Sequence, residues 1–395
     1  MVYNGIAMND IAQPTWRVTP TLCSVETGAY DSYSFDLSGC LVRAAWNQQM
    51  VRWGLDGSAL VKTLREPGIV ACRRTIPPEQ GLLMAAEAVN RATQLFVQLA
   101  HRLPAAWQPV VAQLITNGIG PMQERALAYA HIYSPVGILP PDQYGAMVLQ
   151  LTQGCQWNRC SFCSFYKGRP FRVKALPEFT QHIEQVKIML GPAINRRRSI
   201  FLGAASALNL PIPFLLAAFS EMAKTQPALP IYAFMDNFSK GPCQPADFAA
   251  LARLGLSRIY LGVESGSSTV LRILGKPAET AQLLELAQAI KAGGVALGPI
   301  FLLGAGGDLY SHEHVQATAE LLANMPLDNE DTVFFSALKP SPTSAYAAWA
   351  ARNHVNLLHP VQLREQEQLL RQAVQPFTSG GPRLTKYDVE EFIYY

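Results

Sequence analysis

The second half of the sequence alternates short apolar runs, rich in β-branched residues, with longer stretches of helical periodicity. The strand candidates are residues 147–151, 199–202, 231–235, 258–263, 295–303 and 332–338. The helix candidates between them are residues 177–190, 214–225, 245–254, 281–292 and 312–325. Strands joined in series by long crossovers form a parallel sheet with helices outside it. The pattern therefore predicts an α/β fold, a partial (β/α)6 TIM-like barrel.

The first part of the sequence has a less regular pattern. Residues 85–103 are typical of an amphipathic helix, whereas residues 15–73 mix short strand-like runs with glycine and proline. The prolines of residues 138–142 indicate an extended connector. We expect an N-terminal α+β accessory domain at 1–144. The barrel would then occupy 145–345, and a C-terminal helical extension and tail would occupy 346–395.

Polar and glycine-rich segments follow the strand candidates. The first strand leads into residues 152–163, and the next four lead into residues 203–206, 236–239, 264–267 and 304–307. In barrels of parallel strands the reactive groups lie at the C-terminal ends of the strands, which meet at one mouth. We expect these segments to converge there.

Composition and charge are those of a folded globular protein. The 395 residues are 49% hydrophobic and 15% charged, and the formal net charge of +3 gives no argument for a nucleic-acid groove. The basic run 196–198 fits a solvated loop. The sequence shows neither a signal-peptide pattern in its first twenty residues nor an apolar stretch that could span a bilayer. We expect a cytoplasmic protein without a membrane anchor.

Cysteine usage points to a metal site. Seven cysteines, an odd number, argue against a disulfide framework, and three of them lie within nine residues: Cys155, Cys160 and Cys163. Thiolates are soft ligands that suit zinc or iron–sulfur clusters. No fourth cysteine or histidine lies near the three. Three thiolates on a four-iron cube leave one iron open for catalysis, whereas zinc held by three thiolates and a distant histidine is the alternative.

These residues carry a resemblance to a known family. The cysteine loop after a first strand, Phe162 directly before the third cysteine, and the strand ending at residues 262–267 resemble the radical S-adenosylmethionine (SAM) superfamily. Residues 261–307 resemble its branch of Elongator-type, methylthiotransferase-type and oxygen-independent coproporphyrinogen-oxidase-type enzymes. The resemblance extends over about residues 145–345. It implies a [4Fe–4S] cluster that cleaves SAM to a 5′-deoxyadenosyl radical, which abstracts hydrogen from a substrate.

The resemblance also implies roles for individual residues. The three cysteines would hold the cluster, although this chain has four residues between the first two where the family commonly has three. Aromatic, small and polar residues would contact SAM: Phe162 at the adenine, Gly203, Ala204, Ala205 and Ser206 at the methionine amino group, Glu264 through hydrogen bonds, and Asn237 or Ser239 at the ribose. Residues 203–206 lack the acid that the family usually carries there. No catalytic residue is assigned.

Other interpretations of these residues stay open. Phe162 is also compatible with an ordinary core position, and Glu264 with a structural ion pair to Arg258 or Lys276. The basic residues among 166–174 suit either an exposed face or the docking of an acidic reductant of the flavodoxin or ferredoxin type.

The substrate is predicted from what the sequence lacks. We find neither a second cysteine cluster nor a terminal basic RNA-binding module in it. The absence of both features favours a small organic substrate. An enzyme that modifies RNA or protein is the alternative, and a non-catalytic iron–sulfur or zinc protein is the second alternative.

Overall fold

A computed structural model describes residues 14–27, 31–66, 68–225, 229–236, 242–374 and 380–395. The chain divides into two compact units. The first comprises the residues up to Pro135 together with Gln185–Arg197 and Ile393–Tyr395. The second comprises Val136–Glu184 and Arg198–Phe392.

The first unit contains a seven-stranded antiparallel sheet in which each strand pairs with the next along the chain. Its strands are β1 (Thr15–Val18), β2 (Leu22–Glu26), β3 (Ser32–Asp36), β4 (Leu41–Trp46), β5 (Gln49–Trp53), β6 (Ala59–Glu66) and β7 (Ile69–Ile76). Buried Ala44 and Val51 pair with each other across β4 and β5, while their neighbours Arg43 and Arg52 pair on the other face. This alternation places one face of the sheet on a core.

Three helices follow the antiparallel sheet: α1 (Pro78–Leu99), α2 (Gln108–Asn117) and α3 (Gly120–Ile132). The pattern predicted a helix over 85–103, but α1 begins earlier because Pro78 is compatible with the first helical turn. Helix α1 buries Ala85, Val89, Ala92 and Phe96 on one face. The ring of Phe96 packs against the edge of Phe35 at 5.7 Å between centroids.

The basic run at residues 196–198 is partly buried, and the expectation of a solvated loop is wrong for it. Arg197 is only 6% exposed. Arg196 lies 4.0 Å from the carboxylate of Asp36, which accepts a 2.7 Å hydrogen bond from Arg125. Asp36 is fully buried, so it requires such cationic partners.

The second unit contains a seven-stranded parallel sheet. In spatial order its strands are β16 (Arg383–Lys386), β15 (Thr332–Ala337), β14 (Ala296–Leu303), β13 (Leu256–Glu264), β12 (Ile231–Met235), β11 (Ile200–Gly203) and β8 (Met147–Gln150). A small antiparallel pair, β9 (Thr152–Gln153) and β10 (Arg172–Val173), lies beyond the end of β8. The predicted fold class, a partial TIM-like barrel, is confirmed.

Helices connect the parallel strands. They are α4 (Leu176–Leu190), α5 (Ile212–Thr225), α6 (Pro245–Arg253), α7 (Ser268–Ile273), α8 (Thr280–Ala292), α9 (Ser311–Asn324), α10 (Ala345–Arg352) and α11 (Pro360–Val374). Proline at the first turn and the side chain of Asp247 begin α6, and Ser267 accepts a hydrogen bond from the amide of Val270 to begin α7. In the part of the chain that the structure describes, no helix combines the length and apolar character needed to cross a membrane.

The seventh strand, β16, was not predicted as part of the barrel. It pairs with β15 at one edge of the sheet, and β8 forms the other edge. The chain after β16 bridges the two edges, because the hydroxyl of Tyr387 donates a 2.8 Å hydrogen bond to the carbonyl of Leu139, just before β8. The rings of Tyr144 and Phe392 also pack together at 5.3 Å. The open side of the partial barrel is therefore spanned by side chains.

We predict that Tyr387→Phe lowers the free energy of unfolding by about 1–3 kcal/mol, because it leaves the carbonyl of Leu139 without its buried donor. Urea unfolding followed by circular dichroism measures this. Tyr310→Phe is the matched control, since the Tyr310 side chain makes a ring contact with Trp349 and its hydroxyl makes no hydrogen bond within the described residues. Equal stability of the two variants would show that the bridge contributes nothing.

Candidate cofactor site

A cavity of about 210 Å³ lies at the C-terminal ends of the parallel strands. Six residues selected from the sequence line it: Cys155, Cys160, Phe162, Cys163, Ala205 and Glu264. Gly203, Ala204 and Ser206 are in the same segment as Ala205 but do not line the cavity. Asn237 and Ser239 lie outside the described residues. The strand ends thus converge on one mouth in the part of the chain that is described.

The loop that carries the three cysteines turns sharply on both sides of Cys155. Gly154 has φ of +72°, and a Cβ there would lie 2.7 Å from the carbonyl oxygen of Pro170. Asn158 has φ of +44° and donates from its side chain to the carbonyl of Tyr166 at 3.1 Å. Asn158 is one of the four residues between the first two cysteines, so the longer spacing is accommodated by a left-handed turn.

A turn at residues 273–275 fastens the cysteine loop to the barrel. The indole of Trp157 donates to the carbonyl of Gly275 at 2.8 Å. The hydroxyl of Ser161 donates to the carbonyl of Ile273 at 2.8 Å, and its amide donates to Leu274 at 2.9 Å. Three hydrogen bonds from residues between the cysteines therefore fix the loop relative to the end of α7.

The three cysteines are half-buried. Burial raises the pKa of the Cys160 thiol to about 12, and burial also raises the pKa of Cys163. The Cys155 sulfur receives a 3.4 Å hydrogen bond from the amide of Asn158 and lies 3.9 Å from the hydroxyl of Ser206. As free thiols Cys160 and Cys163 are neutral, so binding a metal cluster to them would release protons.

The donor set fits a [4Fe–4S] cluster. The described wall of the cavity contains three cysteines and neither a fourth cysteine nor a histidine. Among the described residues no three His, Cys, Asp or Glu side chains are arranged to hold a single metal ion. The three thiols line a shared space, which is the arrangement that a multi-iron cluster with one open iron requires.

The segment after β11 lies beside the first cysteine. The amide of Ala204 donates to the hydroxyl of Thr152 at 2.9 Å, which holds the segment against the start of the cysteine loop. Ser206 is fully buried and donates to the carboxylate of Asp236 at 3.4 Å. Asp236 lines the cavity, so an acid absent from residues 203–206 is present at the end of the neighbouring strand.

A buried charge cluster forms the floor of the cavity. The ammonium of Lys276 lies 3.2 Å from Glu264 and 3.9 Å from Asp236, and it donates to the carbonyl of Gly262. Lys276 and Glu264 are each 8% exposed. Glu264 adopts φ of +65° at a register shift between β13 and β14, which turns its side chain into the cluster.

Burial and ion pairing shift the pKa values of this cluster in a consistent way. Burial raises the pKa of Glu264 and of Asp236, and the Lys276 charge opposes that rise. Burial acts to lower the pKa of Lys276, but the two carboxylates outweigh it and hold that pKa above its usual value. The two carboxylates therefore stabilise the charged form of Lys276. Without that cation, burial would disfavour the ionisation of both carboxyl groups at once.

Sequence reasoning missed Lys276 and Asp236 as site residues. Lys276 had been considered only as a structural partner of Glu264, and it is that partner as well as a lining residue. Arg258, the other suggested partner, bonds instead to Asp142 at 3.0 Å. A lysine between glycine and proline after a short apolar helix is the signal that was available.

Phe162 both lines the cavity and packs on a small core of α7, β14 and α10. The two interpretations of this residue are therefore compatible. The basic residues that follow the loop do not form one exposed face. Arg172 makes a bidentate ion pair with Glu178, in which each guanidinium nitrogen lies 2.7 Å from a carboxylate oxygen. Lys174 is buried.

His314 supports the turn that follows Glu264. Its Nδ1 lies 2.8 Å from the hydroxyl of Ser265, which accepts a 3.0 Å hydrogen bond from the amide of Ser267. The amide of Gly266 donates to Thr318, one turn after His314 on α9. A Cβ at Gly266 would lie 2.0 Å from the carbonyl of Ala317, so only glycine allows this approach.

Comparison with known families gives the domain its identity. Residues 149–322 match the Radical SAM superfamily. This part of the chain is a radical SAM domain. The match contains the three cysteines, residues 203–206 and the cluster of Asp236, Glu264 and Lys276. Proteins with this domain are radical SAM enzymes, whose cofactors are a [4Fe–4S] cluster and SAM. No curated protein matches the sequence.

Several solved structures resemble the radical SAM domain and its surroundings at low identity. The methyltransferase TsrM from Kitasatospora setae, with cobalamin and a [4Fe–4S] cluster bound, is 17% identical with a TM-score of 0.41, over 56% of this chain and 41% of its own. Coproporphyrinogen III oxidase from Escherichia coli is 15% identical with a TM-score of 0.41, over 63% of this chain and 56% of its own. The cobalamin-dependent enzyme OxsB is 16% identical with a TM-score of 0.39, over 58% of this chain. The chain spans 31–56% of the length of these three proteins.

We predict that Lys276→Met destabilises the apoprotein by about 3–5 kcal/mol at pH 7, because the buried Glu264 and the half-buried Asp236 lose their cation. Their folded pKa values would rise further, so the folded state would bind more protons than the unfolded state and the loss would be smaller at pH 5. Urea unfolding at both pH values measures it. Lys224→Met, at an exposed pair, should cost less than about 1 kcal/mol. An equal loss at both pH values would contradict the charge cluster.

A second prediction concerns His314. Burial lowers its pKa to about 4, so the folded protein keeps it neutral while the unfolded chain takes up a proton below about pH 6.5. This histidine therefore removes stability as pH falls from 6.5 to 4, and His314→Gln should abolish that part of the pH dependence. The measurement is the difference in unfolding free energy between variant and wild type at several pH values. His312→Gln, exposed on the same helix, is the control, and a constant difference for His314→Gln would show that it titrates normally.

Proposed function

We propose that the protein is a radical SAM enzyme acting on a small organic substrate, with Cys155, Cys160 and Cys163 holding a [4Fe–4S] cluster. The cluster, when bound and reduced by one electron, would cleave SAM to methionine and a 5′-deoxyadenosyl radical, which takes a hydrogen atom from the substrate and becomes 5′-deoxyadenosine. The observation that carries the proposal is the sharing of one cavity by three thiols and a buried charge cluster.

The charge cluster suits the methionine end of SAM. That end carries an ammonium and a carboxylate, and the cavity wall presents two carboxylates for one lysine, an excess of negative charge that suits the ammonium. We assign the amino-group contact to Asp236 and to residues 203–206 together, because Ser206 links the segment to that carboxylate. Phe162 would contact the adenine. Asn237 or Ser239 would reach the ribose.

The remaining parts of the proposal concern the chain around the domain. We propose an accessory domain at residues 1–144, a barrel at 145–345 and a C-terminal extension at 346–395. We also propose a cytoplasmic location, where thiols stay reduced. A small acidic electron carrier of the flavodoxin or ferredoxin type would be the reductant, since the exposed Lys167 and the half-buried Arg169 flank the end of the cysteine loop.

We predict that Cys160→Ala abolishes 5′-deoxyadenosine formation, because two thiolates cannot hold the cluster in the required geometry. The protein is reconstituted with iron and sulfide without oxygen and reduced with dithionite in the presence of SAM. Deoxyadenosine is then measured by chromatography.

The matched control is Cys72→Ala, since Cys72 is exposed on β7, outside the cavity. It should keep wild-type iron content and wild-type product formation. Wild-type protein that binds about four irons per chain but yields no deoxyadenosine would refute the proposed reaction.

A further inference from the structure

The family match divides the wall of the cavity into two parts. The thiols and the charge cluster lie within residues 149–322. Another part of the wall comes from chain outside that match, namely Ile138 before β8, residues 336–339 at the end of β15 and just beyond it, and Tyr387 and Val389 after β16. Residues within the match supply what the cofactors need. The other part is available for a substrate.

The segments outside the match are adjacent because of strand order. Strand β16 pairs with β15, and the amide of Tyr387 continues that pairing by donating to the carbonyl of Phe335 at 2.8 Å. The segments that follow β15 and β16 therefore leave the sheet side by side at the mouth of the barrel. The Tyr387 hydroxyl then reaches the carbonyl of Leu139, which brings the neighbouring Ile138 to the same wall.

The wall formed by Ile138, Leu338, Tyr387 and Val389, which we call the apolar wall, presents little polarity. Three of its members are aliphatic, and the Tyr387 hydroxyl is committed to the Leu139 carbonyl, so the ring is what remains for a ligand. Aromatic and aliphatic surface of this kind binds carbon groups by removing them from water.

The charge next to the apolar wall is already compensated. Lys339 lines the cavity, but its ammonium lies 2.6 Å from Glu390 and 3.4 Å from Asp388. A ligand anion would have to compete with two carboxylates for this lysine. A ligand cation would be held away from those carboxylates, because neither of them lines the cavity. Neither sign of charge is favoured beside the apolar wall.

We propose that the apolar wall is the substrate subsite and that it takes an uncharged, predominantly apolar organic group. The proposal rests on the proposed function, because it assumes that the rest of the cavity holds SAM and the cluster. The proposal specifies the chemistry of the substrate group that would face the 5′-deoxyadenosyl radical. Carboxylates, phosphates and ammonium groups of a substrate would have to lie elsewhere.

The test uses reconstituted protein with cluster and SAM, kept oxidised so that no turnover occurs. Three probes with one ring system and different charge are titrated by calorimetry: 2-naphthalenemethanol, 2-naphthoate and 2-naphthylmethylamine. We expect the alcohol to bind at least about 10-fold more tightly than either ion, because burying an unpaired charge is costly. Val389→Thr, nearly equal in shape, should weaken binding of the alcohol about 5-fold or more, since it places a hydroxyl in the apolar wall.

The matched control is Val361→Thr, at an exposed position of α11, which should leave binding unchanged. Unaltered binding to Val389→Thr, or tighter binding of either ion, would overturn the proposal. Deoxyadenosine formation, measured after dithionite is added to a separate portion of the same preparation, separates the two claims. Deoxyadenosine without binding of the alcohol refutes the subsite alone, and binding without deoxyadenosine refutes the radical reaction and with it the role of the wall as a substrate site.

Discussion

The site depends on the ion pairs that the buried ammonium of Lys276 makes with Glu264 and Asp236. The two carboxylates lie at the ends of different strands, and without the ammonium burial would favour their protonation. Because a buried charge is tolerated only with partners, the three groups fix one another's positions. The ends of β12 and β13 are held together at the cavity floor by this charge balance as well as by backbone pairing.

The same region holds the cysteine loop. Residues 273–275, directly before Lys276, accept hydrogen bonds from Trp157 and Ser161, so the loop and the charge cluster share one support. On the other side, His314 and Thr318 of α9 hold the turn after Glu264. A cofactor that contacts both the thiols and the charges would therefore meet a prearranged surface, which limits the ordering cost of binding.

The sequence was sufficient where a single physical rule governs the residues. Parallel strands buried on both faces appear as apolar runs, and thus the six main strands of the barrel were found. The three cysteines that line the cavity were selected by ligand type and spacing. Strand β16 was not predicted because its four residues, with Arg383 and Lys386 exposed, resemble a loop. Lys276 was not predicted as a site residue because lysine usually faces water. The partners of that lysine meet only in the folded chain.

The hydrogen bond between Tyr387 and Leu139 joins residues 248 positions apart. Contacts this distant close a long loop at a cost in chain entropy, and non-local contacts of this kind slow folding. On the ribosome, residue 387 emerges after nearly the whole of the second unit. The side of the barrel between β8 and β16 is therefore the last to close. Until that moment the cavity that Ile138 and Tyr387 line is open on this side.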